Sequence, residues 1–489
     1  MPRSLKRYGG FRAVRKRKKI LVFALCAVLV AAGIFFMPKL IQSYQNRQML
    51  KAPTPTPNPL DALAEPSPTP KEAQEVVVIA QQKAKINLDA FAYVGNKRTN
   101  LSCVQEIVYT NNQPIPLDAI YLRILPNALM DTNYMPFPAD NFVSNGGQLE
   151  FRLVSINGSN AQYELSGKYK TSMKLALSEP LRQAEQLKIL LDYSFLLPEA
   201  EFYLGSSGKS AQFGYFCATP AVYQSTSEVY CDSDWQLTNI ALTGAPWYIP
   251  LADYTATIHV PTSLDFASTG EVSSFYVEDS DTVYCITAEN ARDFAFTIGP
   301  KGRTFSAEVN RAKLTAYATT AEKAKRIVTA AQEVLKSYSP LPGEYEGELE
   351  LFATRIAAES LAQSGLVLIN ASTVNTDGEE LSFLLARAIA QQWLGIKIAD
   401  ESGLNGLLCD YLAAMHIENN FDKAAADAAF AKNEGAKALR QLRIDIGAKE
   451  FDGAIATYLS SSDRGDRDAF VAAFADTSAI EKILNQYAQ

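Results

Sequence analysis

The hydrophobic pattern changes period along this chain, and each change marks a different kind of element. Ile20 to Met37 is a run of 18 apolar or small residues. At 1.5 Å of rise per residue a helix of that length spans about 27 Å, close to the hydrocarbon core of a bilayer. From about Val76 to Pro300, short runs rich in Val, Ile, Tyr, Phe and Thr alternate with Asn, Gly, Asp and Ser. This spacing predicts strands at Cys103–Thr110, Ala119–Leu125, Gln162–Leu165, Leu187–Tyr193 and Ala256–Val260. From about Ser306 the helical period takes over. Ile327, Ala330, Ala331, Val334, Leu335 and Tyr338 form one apolar helix face, Thr319 and Glu322 have the spacing of a capping box, and Pro340 follows the end. The runs Leu349–Phe352 and Leu366–Ile369 read as strands.

The most regular stretch is Leu381–Met415. Leu381, Leu384, Leu385, Ala388, Ile389 and Trp393 recur at three-and-four spacing, and Gly395 stands where a helix C-cap belongs. After a polar loop, Leu404, Leu407, Leu408, Tyr411, Leu412 and Met415 predict a second amphipathic helix.

Charge sharpens this outline. Residues 1–19 hold nine of the 46 Lys and Arg and no acid; with 53 Asp and Glu in total, the chain beyond residue 19 is acidic by 16. An acidic surface argues against nucleic acid as a partner, because phosphate neutralisation needs bases. The basic run Arg15–Lys19 immediately before the apolar segment predicts a cytoplasmic N-terminus and a single-pass anchor at 20–37 in the cell membrane. A cleaved signal peptide is the rival, but Phe35-Phe36-Met37-Pro38-Lys39 offers no small-x-small cleavage site. Residues 52–71 contain seven prolines and predict an extended stalk. The bulk of the chain is therefore expected outside the cytoplasm.

The resulting expectation is an α+β chain. It comprises a basic segment (1–19), a transmembrane helix (20–37), a Pro-rich linker (38–75), an antiparallel β-rich domain (76–304) and a mostly α-helical domain (305–489). Asp463–Arg467 reads as a solvated loop. The segment between Cys217 and Cys231 reads as a hairpin or long loop that a disulfide could close. His259 and His416 are the only two histidines, and each reads as structural. A zinc site needing two or three imidazoles can scarcely be built from them.

Leu381–Met415 resembles the catalytic core of the gluzincin, alanyl aminopeptidase-type zinc metallopeptidases. There a helix H-E-x-x-H-Q-W-x-G precedes a second helix opening W-L-N-E-G. Gln392, Trp393, Gly395, Leu404, Asn405 and Tyr411 match that framework. Val108–Leu129, Ala252-Asp253-Tyr254, Thr269-Gly270 and Ala291-Arg292-Asp293-Phe294 are similar, in order, to the β-domain of the family's membrane-linked bacterial branch. The resemblance implies a thermolysin-like second domain and a zinc cofactor. It would put the two zinc-binding histidines at Arg387 and Gln391, the ligand carboxylate at Gly406 and the general base at Ala388. The amine-binding Glu would fall at Ala362 and the oxyanion-stabilising Tyr at Lys432.

Every one of those positions is replaced. Arg387 is permanently cationic, Ala388 cannot take a proton, Gln391 offers a neutral amide, and Gly406 has no side chain. Glu359, Glu401 and Asp410 are the nearest acids, and none restores the missing imidazoles. The expectation is a pseudopeptidase without zinc: an extracytoplasmic module for peptide or protein binding or for assembly. A hydrolase with a non-standard active site and a purely structural partner of another membrane protein are the alternatives.

Overall fold

The structure, a computed structural model, describes residues 82–95, 98–129, 146–167, 169–223, 235–237, 249–339, 345–398, 403–460 and 467–488. The expected anchor at 20–37, the linker, Glu401, Cys231 and residues 463–466 lie outside the described residues. Among the described residues no helix is long and apolar enough to cross a membrane.

The described chain belongs to one compact unit beginning at Val78. Its first half is β-rich. An eight-stranded sheet contains β1 (Ala84–Val94), β2 (Thr99–Thr110), β3 (Gln148–Ile156), β4 (Gln186–Leu196), β5 (Ala252–Pro261) and β6 (Asp281–Ala291). The order across it is Glu271–Glu278, β6, β5, β1, β2, β4, β3 and Ser159–Asn160. Strict alternation sends Ile86, Leu88 and Ala90 inward from β1 and Asp89, Phe91 and Tyr93 outward. The expectation of a purely antiparallel arrangement fails at one pair, because β1 and β5 run parallel. Their join spans more than 150 residues, so the local turn signals on which that expectation rested carry no information about its direction.

The second half departs further from its sequence reading. After β7 (Phe296–Pro300) come β8 (Arg303–Val309) and β9 (Arg311–Ala318), strands where a helical period was expected from about Ser306. They join β10 (Glu346–Thr354), β11 (Ser360–Gln363) and β12 (Leu366–Asn370) in a five-stranded sheet of order β8-β9-β10-β12-β11. The second half is thus less purely helical than predicted. The first pair carries little sequence signal because its inward positions include small residues such as Ala307 and Ala312, so its alternation has little amplitude.

One face of this sheet packs Leu349, Leu351, Val367 and Ile369 against α1 (Ala321–Tyr338) and α2 (Gly378–Ala390). The opposite face sends Phe352, Leu361, Leu366 and Leu368 into the core of the β-rich half. The two halves therefore share a sheet, and the helices lie on its far side. Helix α1 is capped by Thr320, whose side chain accepts from the Lys323 N–H, and not by Thr319 as the capping-box spacing suggested.

Glu350 sits on the sheet face that meets the β-rich half. It accepts a hydrogen bond from the Tyr317 hydroxyl at 3.4 Å, and burial pushes its carboxyl up to about 8. The folded protein then keeps this proton to about pH 8, whereas the unfolded chain releases it near 4.5. The native state binds more protons across that window, so stability falls as pH rises through it. Glu350→Gln should raise the melting temperature above that of the parent at about pH 9 and leave it unchanged at about pH 4. Equal melting curves at both values would refute this account of Glu350.

Candidate functional site

The site positions converge on α2, on α3 (Leu404–Asn420) and on the edge strand β11. Helix α2 ends at Ala390 with Gln391 as its C-cap, earlier than the apolar period suggested. Gln392 through Ile398 then turn tightly: Gly395 adopts φ +114°, and its N–H donates to the Ile398 carbonyl at 2.8 Å. A left-handed residue here reverses the chain without a Cβ clash, so that α3 can return against α2.

The framework residues of this turn serve packing and tethering. The Gln392 side chain donates to the Gln363 carbonyl at 3.1 Å and accepts from the Gly365 N–H at 3.0 Å, clamping the β11–β12 turn to the end of α2. Trp393 packs edge-on against Tyr338 and Tyr345. Asn405 donates to the Ile398 carbonyl at 2.6 Å and accepts from the Tyr458 hydroxyl at 2.9 Å. Tyr411 packs on Phe451.

At the chemical positions the structure has built something else. Arg387, half-buried on α2, donates from Nε to Asp410 Oδ1 on α3 at 2.5 Å. Asp410 Oδ2 accepts from Asn433 Nδ2 at 2.6 Å. Asn433 in turn caps α4 (Glu434–Ile446), its side-chain oxygen accepting from the Gly435 and Ala436 N–H groups. One chain of charge-assisted hydrogen bonds thus joins three helices. Burial would lower the Arg387 pKa, but Asp410, with smaller help from Cys409 and Tyr203, outweighs it, and the guanidinium is held more firmly charged than usual.

The other positions are distributed as follows. Ala388 is fully buried between the helix and the core, and Gln391 is half-buried one turn beyond Arg387. Gly406 is exposed on the first turn of α3, with open space where a Cβ would stand. Ala362 is buried on β11, and Glu359, before that strand, is exposed. Lys432 is exposed and lies 4.4 Å over the ring of Phe383, one turn before Arg387, a cation–π contact in place of a phenol. Arg387, Gln391 and Lys432 therefore gather on the α2 side, while Ala388 and Ala362 present only methyl groups to the interior.

Both histidines are structural. The ring of His259 stacks on Phe91 at 3.8 Å, and its Nε2 lies 3.3 Å from Asp89. His416 is buried on α3 beside Tyr338, and burial lowers its pKa to about 4. Cys103, Cys217, Cys285 and Cys409 carry free thiols, and the expected partner of Cys217 lies outside the described residues.

Three crystal structures of an M1 zinc metallopeptidase from Deinococcus radiodurans are similar to this chain. One is the enzyme itself, one a mutant, and one the same mutant bound to a Tyr-Ser-Ala substrate. Each is 15% identical in sequence, with TM-scores of 0.55, 0.55 and 0.56 respectively. Each match covers 84% of this chain, and 94% of the enzyme's chain or 95% of the mutant's. The fold is that of the M1 zinc metallopeptidases. No protein-family model and no curated protein matches the sequence.

The zinc site that this fold implies does not fit the residues present. The positions assigned to its ligands hold a guanidinium, an amide and a glycine, and the guanidinium is already neutralised by Asp410. Among the described residues no three His, Cys, Asp or Glu side chains stand close enough together to hold a metal ion.

Asn433 was not singled out from the sequence, although an Asn directly before Glu434-Gly435-Ala436 is an N-cap signal. Arg292 and Asp293 were noted only as part of a pattern. The structure makes them the tie between the halves. Arg292 is buried and donates to the carbonyls of Ile396 at 2.6 Å, Lys397 at 3.0 Å and Ile249. Asp293 accepts from the Ser364 hydroxyl at 2.6 Å and the Ser364 N–H at 3.1 Å. Burial raises the Asp293 carboxyl above the usual range, against these hydrogen bonds and the charge of Arg292.

Proposed function

We propose that this chain is a pseudopeptidase, a peptidase-fold module that binds or assembles with a peptide or protein and does not hydrolyse it. The observation carrying this reading is the Arg387–Asp410–Asn433 relay. A cation supplied by the protein itself takes up the carboxylate of α3 where the family's fold would present groups to zinc. A guanidinium neither ionises a water nor accepts its proton, so neither step of metal-assisted hydrolysis has an agent at these positions.

Support for a peptide as the ligand class comes from β11. Among the described residues it pairs only with β12 and so is the edge strand of its sheet, the kind of element an extended peptide would join. The neighbour that binds Tyr-Ser-Ala shares this fold. The anchor at 20–37 and the Pro-rich stalk would hold the module at the outer surface of the membrane, with the basic N-terminus inside.

The test uses the full-length chain. Metal analysis and an aminoacyl-nitroanilide assay are run beside fluorescence polarisation with labelled Tyr-Ser-Ala and longer extended peptides. The expected outcome is substoichiometric zinc, no turnover and saturable binding of extended peptides. Stoichiometric zinc accompanied by turnover would overturn the reading.

A further inference from the structure

The outer face of the eight-stranded sheet, remote from α2 and α3 in sequence and chemistry, carries a second constellation. Register places Tyr93, Asn100, Leu196 and Gln148 in one row across β1, β2, β4 and β3, and Phe91, Ser102, Ser194 and Glu150 in the next. All belong to the alternating set that points away from the core. Phe91 also pairs across β5 with His259, whose ring lies parallel to it, and Tyr93 is aligned with Phe91 at 6.4 Å and 11°.

Three flat rings therefore form a strip along one side. On the other side the floor is made of short hydroxyl side chains, Ser102 and Ser194. The step between tall rings and short floor leaves a hollow of about 340 Å³, rimmed by Asn100, Gln148 and Glu150. Tyr93 is 53% exposed, which leaves its ring face free for contact.

Charge decides which chemistry fits. Among the described residues lining the hollow there is no Lys or Arg, and Arg152, which bonds to Ser102 of the floor at 2.7 Å, is committed to Asp192 Oδ1 at 2.9 Å. The rim groups are amides, hydroxyls and one carboxylate, which offer an anionic ligand no counter-charge. A ring strip beside such groups matches a ligand with one apolar C–H face and many hydroxyls around its edge. From β1 to β3 is about 14 Å at the spacing of neighbouring strands, the reach of a short oligosaccharide.

We propose that this face binds a neutral oligosaccharide, with the sugar C–H face on Tyr93 and its hydroxyls exchanging hydrogen bonds with Asn100, Gln148 and Glu150. The proposal is independent of the peptide reading of α2 and β11, since the two sites share no residue.

The full-length chain is titrated calorimetrically with chitotriose, cellotriose and maltotriose at low and high salt. A trisulfated trisaccharide serves as the anionic control. At least one neutral sugar should bind with a Kd of about 0.1–1 mM, the same at both salt concentrations. Tyr93→Ala and Ser194→Trp should each weaken that binding at least about tenfold. Both positions are solvent-facing, so either variant that melts as the parent does is decisive. No binding by any neutral sugar, tighter binding of the sulfated one, or parental affinity in a folded variant overturns the proposal.

Discussion

Arg292→Ala should destabilise the fold by about 3–5 kcal/mol, a large effect for a residue outside any helix or strand core. The buried guanidinium saturates carbonyls of Ile249, Ile396 and Lys397 and opposes the buried charge of Asp293. Truncation removes the donor from one buried and two part-buried carbonyls and leaves Asp293 without its buried counter-charge, and each buried unmade hydrogen bond costs about 1–3 kcal/mol. Arg292→Lys keeps the charge but loses the planar fork, so an intermediate loss is expected. Denaturant unfolding at pH 7 measures both. A loss below about 1 kcal/mol for the alanine variant would show that the tie between the halves lies elsewhere.

The triple variant Arg387→His, Gln391→His, Gly406→Glu is expected to acquire zinc, moving from no measurable affinity to a Kd of about micromolar or tighter. The geometry favours each change. Arg387 and Gln391 share the partly exposed stripe of α2 one turn apart, and a side chain at Gly406 would enter open space. Removing Arg387 also frees the Asp410 carboxylate. Ala388→Glu is left out because that position is fully buried, and a carboxylate there would be desolvated without a partner. Isothermal titration with zinc checks the expectation. A folded triple variant that binds no zinc would mean that the resemblance has paired the wrong residues with the metal.

Much of the fold was legible because its signals are local. The helix pair Leu381–Met415 announces itself through an apolar stripe and polar loop, and the structure returns it as Gly378–Ala390 and Leu404–Asn420. Strands such as Gln186–Leu196 and Ala252–Pro261 announce themselves by alternation. The hairpin Arg303–Ala318 did not. Its outward positions are Arg, Thr, Glu and Lys, and its inward ones include small residues such as Ala307 and Ala312, so its alternation has little amplitude. The parallel pairing of β1 with β5 left no local trace.

At the candidate site, the family resemblance told where catalytic groups would fall and nothing of what the side chains there touch. From it Arg387, Ala388, Gln391, Gly406, Lys432 and Ala362 could be named as candidate positions. That Arg387 reaches Asp410, and Asp410 reaches Asn433, could not. Each step joins residues 23 apart in sequence, and each depends on how two helices rotate against each other.

The sequence by itself determined the helix pair within Leu381–Met415, the acidic balance of the chain beyond residue 19, and the presence of two histidines. These are properties of single residues and near neighbours. Only the tertiary structure decided that an ion pair occupies the carboxylate of α3, that Arg292 and Asp293 bind the two halves, and that aromatic and hydroxyl side chains from four strands share one outer face. Those outcomes rest on pairings between residues as far apart as Phe91 and His259, set by strand register and helix packing that no local pattern encodes.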